Sequence, residues 1–158
     1  MSKKVVILII VLVVLLGALA WAGMKFFEKP KLLQANVPEV RITYENFEEE
    51  VSKQSLVQDL PDEGAILLRF YNFKGGEKIW ENSYVLRQTG VEKGELANAD
   101  LTITLHARYL DSLTNYNFCS VIERAKAAGD LGVETGLSKT ALAWKYRSIM
   151  KYRECLGF

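Results

Sequence analysis

The chain opens on an unbroken apolar run. Residues 5–24 read VVILIIVLVVLLGALAWAGM, twenty positions without a charge. At about 1.5 Å rise per residue such a helix spans roughly 30 Å, the hydrocarbon thickness of a bilayer. Lysines flank the run on both sides, and Trp21 lies where a ring would meet the headgroups. The pattern predicts a single-pass transmembrane anchor over residues 1–24.

A secretory signal is the alternative, because the small residues at 18–20 fit a cleavage site. The run is longer than the usual signal, roughly 7 to 15 apolar residues, which favours a retained anchor. The short leading tail with two lysines indicates an N-terminus held inside, so the following domain is expected outside the cytoplasm. A domain on the cytoplasmic face, or one secreted after cleavage, stays open.

Two prolines, Pro30 and Pro38, interrupt residues 25–42, where lysines alternate with aromatic and apolar residues. This mix predicts a juxtamembrane tether along the headgroup layer. Beyond it, Tyr44, Phe47 and Val51 are spaced by three and four residues, as on one face of a helix, with Thr43 as its cap.

Four later segments are predicted to be strands: in three of them alternate positions share a face, with a period of two, and the short third one follows a turn at Thr89-Gly90. They are Ala65–Phe73, Lys78–Gln88, Val91–Leu96 and Leu101–Leu105. In the second, the alternation predicts that Trp80, Tyr84 and Leu86 share a face. Because the connections are short, an antiparallel meander is expected.

The pattern is helical after residue 105. One short helix is followed by another from Phe118, which Gly129 would end, and by a last helix over Lys139–Glu154 capped by Ser138. The fold class predicted is therefore α+β: a transmembrane helix, then one domain, residues 43–158, with an antiparallel sheet covered by helices.

Charge and chemistry narrow the functions. The formal charge is +1, from 20 basic and 19 acidic residues, so no electrostatic footprint for nucleic acid is present. The single histidine, His106, belongs to no catalytic or metal motif. We therefore expect no enzyme, no cofactor and no metal site.

The two cysteines, Cys119 and Cys155, lack the spacing of zinc or redox sites. Ordinary half-buried thiols are the favoured interpretation. If the domain lies outside the cytoplasm, a disulfide is open to them.

A family resemblance follows from order and spacing. The segment Asn98–Leu105, which reads NADLTITL, and the later Gly129-Asp130-Leu131-Gly132 step resemble the sterol-carrier-protein family of lipid-binding domains. In that family an Ala-Asp pair opens a strand of alternating apolar and Thr residues. The sequence departs from the family at Glu123–Ala128, where helix formers replace the usual last strand.

The resemblance implies a sheet with helices over one face and an apolar cavity that admits an acyl chain, sterol or similar ligand. Candidate lining residues lie along the last helix: Leu142, Trp144, Tyr146, Ile149 and Met150. Plain core packing is the competing interpretation of this stripe.

Two functions are therefore expected. The first is a membrane-anchored, non-enzymatic binding domain for a lipid or other apolar small molecule. The alternative is an accessory subunit of a membrane protein complex with a filled core, docking through Lys145, Arg147 and Lys151. An enclosed apolar cavity of about 300 Å³ would favour the first, and a packed interior the second.

Overall fold

The computed structural model describes residues 38–156, which form a mixed helix and sheet domain. This confirms the mixed helix and sheet composition expected from the sequence. The elements in chain order are α1 (Phe47–Ser52), α2 (Ser55–Gln58), β1 (Ile66–Lys74), β2 (Glu77–Arg87), β3 (Gly90–Lys93), β4 (Leu101–His106), a first 3-10 helix (Ala107–Ser112), α3 (Phe118–Ala127), β5 (Leu131–Thr135), α4 (Lys139–Lys145), a second 3-10 helix (Arg147–Tyr152) and α5 (Arg153–Leu156).

The five strands form one sheet in the order β3-β2-β1-β4-β5. Neighbouring strands are antiparallel except β1 and β4, which pair in parallel with Ile66 opposite Leu101 and Phe70 opposite Leu105. The predicted meander is wrong at this pair, because β4 lies beside β1 rather than after β3. Strand β1 is buried on both faces at Ile66 and Leu67, which suits a central strand with a neighbour on each side.

A β-bulge changes the faces of β2. Arg69 lies opposite Ser83, but Tyr71 lies opposite Trp80, so the register shifts between the two pairs. Because side chains alternate with a period of two, one extra residue moves everything beyond it to the other face. Trp80 therefore lies on the face of Arg69 and Tyr71, and the prediction that it shares a face with Tyr84 and Leu86 is wrong.

The core lies between one face of the sheet and the helices. Ile66, Leu68 and Phe70 point into it, as the alternation in β1 indicates. The Phe47 ring stacks on Tyr84 at 4.1 Å between centroids and meets Phe70 edge-on at 5.5 Å. These ring contacts hold α1 against the sheet, because each buried aromatic side chain removes a large apolar area from water.

The domain includes residues before Thr43. Ile42 is buried, Arg41 forms a bridge with Thr114, and the Val40 N–H donates to the Asn115 side chain at 3.0 Å. Thr43 does not cap α1: the helix begins at Phe47, because the Asn46 side chain binds the Thr43 N–H at 2.7 Å and closes a turn first.

The segment at Glu123–Ala128, which departs from the family pattern, is helical up to Ala127, and α3 ends there in the manner predicted. Gly129 follows with φ at +76°, the left-handed conformation in which glycine is favoured. The neighbour of β4 on the side away from β1 is β5, which comes after the Gly129-Asp130 step rather than before it.

The predicted last helix over Lys139–Glu154 is broken into three pieces, α4, the second 3-10 helix and α5. Ser138 caps α4 as expected, accepting from the Ala141 N–H at 3.2 Å. Tyr146, Ile149 and Tyr152 recur every three residues, and a 3-10 helix has three residues per turn. The tighter helix therefore directs all three toward the core.

Cys119 of α3 and Cys155 of α5 form a disulfide, with their Cα atoms 4.6 Å apart. The interpretation as ordinary free thiols is wrong, and the alternative left open, a disulfide, is the one the structure contains. The bond fastens the end of the chain to α3.

Within residues 38–156, no helix has both the length and the hydropathy needed to cross a bilayer. The predicted anchor, residues 1–24, and most of the predicted tether lie outside the described residues.

Candidate functional site

A small apolar cavity lies between the sheet and two helices. Its volume is about 20 Å³, and every lining residue is apolar. The lining comes from α2 and the loop after it, from α3, and from three strands: Leu56, Val57, Leu60, Ile66, Leu68, Leu86, Ile103, Phe118 and Ile122. A volume of roughly 10 to 15 Å³ is the minimum for one water molecule, so the interior is nearly filled.

Sequence reasoning missed the α2 wall of this cavity. Leu56, Val57 and Leu60 follow a helical spacing, but α2 is only a single turn from Ser55 to Gln58. So short a segment gives almost no periodic signal. The apolar pair at 56 and 57 before Pro61 was the signal that could have marked it.

The five predicted lining residues lie elsewhere. Tyr146 and Ile149 are buried in the core, Leu142 and Met150 are half-buried, and Trp144 is 74% exposed. None of the five is among the described residues that line the cavity. Whether any of them contacts a ligand stays a prediction.

Asp100, from the Ala-Asp pair that carries the family resemblance, has a structural role. Its carboxylate accepts from the Lys145 ammonium at 2.8 Å, the Tyr146 hydroxyl at 2.9 Å and the Ala65 N–H at 3.1 Å. Burial alone would raise the pKa of Asp100, but these three donors outweigh it and hold the pKa below its usual range. The cluster ties α4 to the start of β1 and β4.

Asp130, from the second motif, has a similar role at the other end of the sheet. Its carboxylate accepts from the Tyr109 hydroxyl at 2.9 Å and pairs with the Arg108 guanidinium. Its backbone carbonyl accepts from the Tyr71 hydroxyl and the His106 N–H, both at 3.2 Å. Both motif aspartates therefore hold the fold together.

The basic residues predicted for docking are largely engaged within the domain. Lys145 pairs with Asp100, and Lys151 pairs with Asp59 at 2.8 Å. The Arg147 guanidinium lies 5.3 Å from the centre of the Trp144 ring. Of the three, Arg147 alone has no salt bridge within the described residues.

His106 lies at the end of β4. Its Nδ1 accepts from the Arg108 N–H at 3.2 Å, and its ring contacts those of Tyr71 and Phe73 at 5.2 and 5.8 Å between centroids. Within residues 38–156, no group of three His, Cys, Asp or Glu side chains is arranged to hold a metal. The expectation of a non-enzymatic protein stays a prediction.

An open groove of about 520 Å³ lies between residues 41–45, Asn72 and Glu81 of the β1–β2 hairpin, and residues 106–111. Tyr44 lies along one side of this groove, and its hydroxyl donates to the Glu81 carboxylate at 2.6 Å. Burial, and then this hydrogen bond, raise the pKa of Tyr44 well above its ordinary value. The first residues of the domain are thereby fastened to the hairpin.

No protein-family model matches the chain, and no curated protein does. Several solved structures are similar, among them the following two. A UbiJ-SCP2 ubiquinone synthesis protein is 15% identical over 66% of this chain and 76% of its own, with a TM-score of 0.34. Sterol carrier protein 2 from Yarrowia lipolytica, in its apo form, is 22% identical over 59% of this chain and 79% of its own, also with a TM-score of 0.34. Both names belong to the family that the sequence resembles, and a likeness at this TM-score supports no statement about function.

Proposed function

We propose that this chain is a membrane-tethered, non-enzymatic binding module for a lipid or similar apolar molecule, taken up between the helices and the sheet. The supporting observation is the small cavity between the sheet and the helices, whose nine lining residues are all apolar. Since unpaired polar groups are costly to bury beside an acyl chain, such a lining suits one. The apolar run at 5–24 would keep the module beside its ligand's source.

Uptake requires the cavity to open. A drug-sized ligand needs about 300 Å³ or more, against about 20 Å³ in this conformation. The wall best suited to move is α2, because it is one turn long and its N-cap residue makes no side-chain capping bond. Its departure would join the cavity to solvent.

The test is mass spectrometry of the full-length chain purified in mild detergent, with displacement of a fluorescent fatty acid as a second measurement. A bound lipid and displacement by free acyl chains are expected. Val57→Phe should fill the cavity and abolish displacement, while Leu142→Phe, on the stripe predicted from the sequence, should retain it. If displacement is lost with Leu142→Phe and kept with Val57→Phe, the binding site lies at that stripe instead. A chain that is always recovered without bound lipid would contradict the proposal.

The small volume favours a second candidate, an accessory subunit with a filled core that binds partner proteins in the membrane. Because Lys145 and Lys151 are paired with Asp100 and Asp59, reversing them would break contacts within the domain as well as any docking contact. Lys139 and Arg147 are exposed and suit the test better. Lys139→Glu with Arg147→Glu should weaken co-purification with a larger complex, and unchanged association would contradict this candidate.

The Cys119–Cys155 disulfide supports placing the module outside the cytoplasm, since such bonds persist in oxidising compartments. Thiol alkylation before and after reduction of freshly isolated membranes tests this. We expect labelling only after reduction, and labelling of the unreduced chain would favour the cytoplasmic face.

A further inference from the structure

The β1–β2 hairpin carries an unusual surface. Residues 73–81 are all exposed, and among them Phe73, Ile79 and Trp80 are 52%, 41% and 44% exposed. A Cβ atom added to Gly75 or Gly76 at the turn would meet no other atom within 4 Å, so the tip is open on its sides. Several large apolar side chains on one small tip indicate a contact surface rather than chance exposure.

Cations accompany the rings. The Lys78 ammonium lies 4.0 Å from the centre of the Tyr71 ring, and the Arg69 guanidinium lies 4.1 Å from that of Trp80. A Trp ring beside long basic side chains is the chemistry of the headgroup layer, where rings and stems are buried while the charged ends stay wet.

We propose that the tip of this hairpin, residues 73–80, is a membrane-contact surface that seats Phe73 and Trp80 in the headgroup layer of a lipid bilayer. The proposal rests on the membrane tether proposed above. It does not depend on a ligand in the interior.

The length of chain before the domain argues for a bilayer as the occupant. Thirteen residues, 25–37, separate the apolar run from Pro38 and span at most about 45 Å when fully extended. A domain of this size has a radius of gyration of about 14 Å. The tether is therefore short enough to keep any exposed surface of the domain within reach of the bilayer.

The point of entry favours this end of the domain. Pro38 and Val40 contact Asn115, and Tyr44, six residues after Pro38, donates to Glu81 of the hairpin, with its ring 5.7 Å from that of Phe70 between centroids. A chain held at the membrane thus reaches the hairpin within seven residues of entering the domain.

Trp144 provides a matched control. It is also exposed, also beside an arginine, but its neighbour Lys145 is bound to Asp100 at the start of β4. The hairpin tip lies beyond the other end of β1, nine residues or roughly 30 Å away. The two tryptophans therefore report on opposite ends of the sheet.

The experiment uses full-length chain in phosphatidylcholine vesicles with brominated acyl chains, which quench nearby tryptophans. Trp21→Phe with Trp144→Phe leaves Trp80 as the reporter, and Trp21→Phe with Trp80→Phe leaves Trp144. We expect roughly a two-fold loss of Trp80 emission and little change for Trp144, because interfacial rings lie at headgroup depth. Adding Phe73→Ser should reduce the Trp80 quenching.

Equal quenching of the two reporters, or quenching of Trp144 alone, would overturn the proposal. So would a Trp80 emission shift that depends on protein concentration in lipid-free detergent, which would identify a second copy as the occupant. Flotation of the same vesicles separates the two proposals. A chain that floats with unquenched Trp80 is tethered without using the hairpin, whereas a chain that does not float contradicts the tether and the hairpin contact together.

Discussion

Two regions of this domain have similar composition and different surroundings. The β1–β2 hairpin carries Trp80 among Lys74, Lys78 and Arg69. The C-terminal segment, residues 139–156, carries Trp144 among lysines and Arg147. In the C-terminal segment two lysines are bound by aspartates of the domain, and a disulfide closes its far end. In the hairpin Lys78 lies over the Tyr71 ring, and Arg69, which also pairs with Glu95 at 3.5 Å, lies over that of Trp80.

The difference teaches that the partners of a charge, rather than its presence, decide what a surface does. A lysine held by a half-buried carboxylate contributes to stability and has little left to offer a ligand. The exposed Lys78 ammonium has no salt bridge within the described residues, so it stays hydrated on the side away from the Tyr71 ring and can meet a headgroup. The C-terminal segment should therefore be important for stability, and the hairpin for binding.

Removing the disulfide should have the largest effect on stability. Cys119→Ala with Cys155→Ala opens a loop of 36 residues, and the chain-entropy model gives a loss of about 3 to 4 kcal/mol in the free energy of unfolding. Urea denaturation of the variant and the parent chain measures it. The parent in reducing agent should match the variant, and a loss below about 1 kcal/mol would show that the C-terminal segment is held mainly by its other contacts.

Asp100→Ala should have the next largest effect on stability. It removes the carboxylate that accepts from the Lys145 ammonium, the Tyr146 hydroxyl and the Ala65 N–H. We expect a loss of about 3 kcal/mol in the free energy of unfolding. The control is Asp59→Ala, which removes a more exposed pair with Lys151 and a hydrogen bond from the Tyr152 hydroxyl at 2.8 Å, and should cost about 1 to 2 kcal/mol. Equal losses in the two variants would contradict the role assigned to Asp100.

The same carboxylate makes stability depend on pH. The pKa of Asp100 is lower in the folded protein than its ordinary value of about 4. The stabilisation is therefore complete above that ordinary value and is lost as the pH falls through the lowered folded pKa. This loss is measured from the urea midpoints of the parent chain and of Asp100→Asn between pH 6 and pH 2. If the two midpoints fall in parallel as the pH is lowered, the stabilisation does not come from Asp100.

The sequence predicted local structure better than pairing. Strands β1, β2 and β4 followed from alternation, and the end of α3 followed from Gly129, because these signals lie within a few residues of the features they determine. Contacts between distant segments determine the bulge that places Trp80 on the other face of the sheet. They also determine the parallel pairing of β1 with β4. Period-two patterns carry no record of which strand lies next to which.

The candidate site was harder to predict for the same reason. The cavity is closed by α2, whose single turn has no periodic signal, and the stripe at Leu142–Met150 is divided by a 3-10 helix. The partners of Lys145 and Lys151 are 45 and 92 positions away along the chain, so their engagement could not be seen in local charge patterns. The disulfide stayed open for the same reason, since spacing along the chain does not give the distance between two Cα atoms.

The smallest effects on stability are expected from the two tryptophans. Trp144→Ala should cost less than about 0.5 kcal/mol, because its side chain is largely exposed, and Trp80→Ala about 1 kcal/mol through its contact with Arg69. A loss of about 3 kcal/mol or more for Trp80→Ala, as for a core tryptophan, would show that the hairpin tip is part of the packed interior and is not a free surface. Urea denaturation of both variants in the same detergent measures these losses in the free energy of unfolding. If Trp80→Ala loses little stability but most of its contact with the bilayer, the hairpin acts in binding and not in folding.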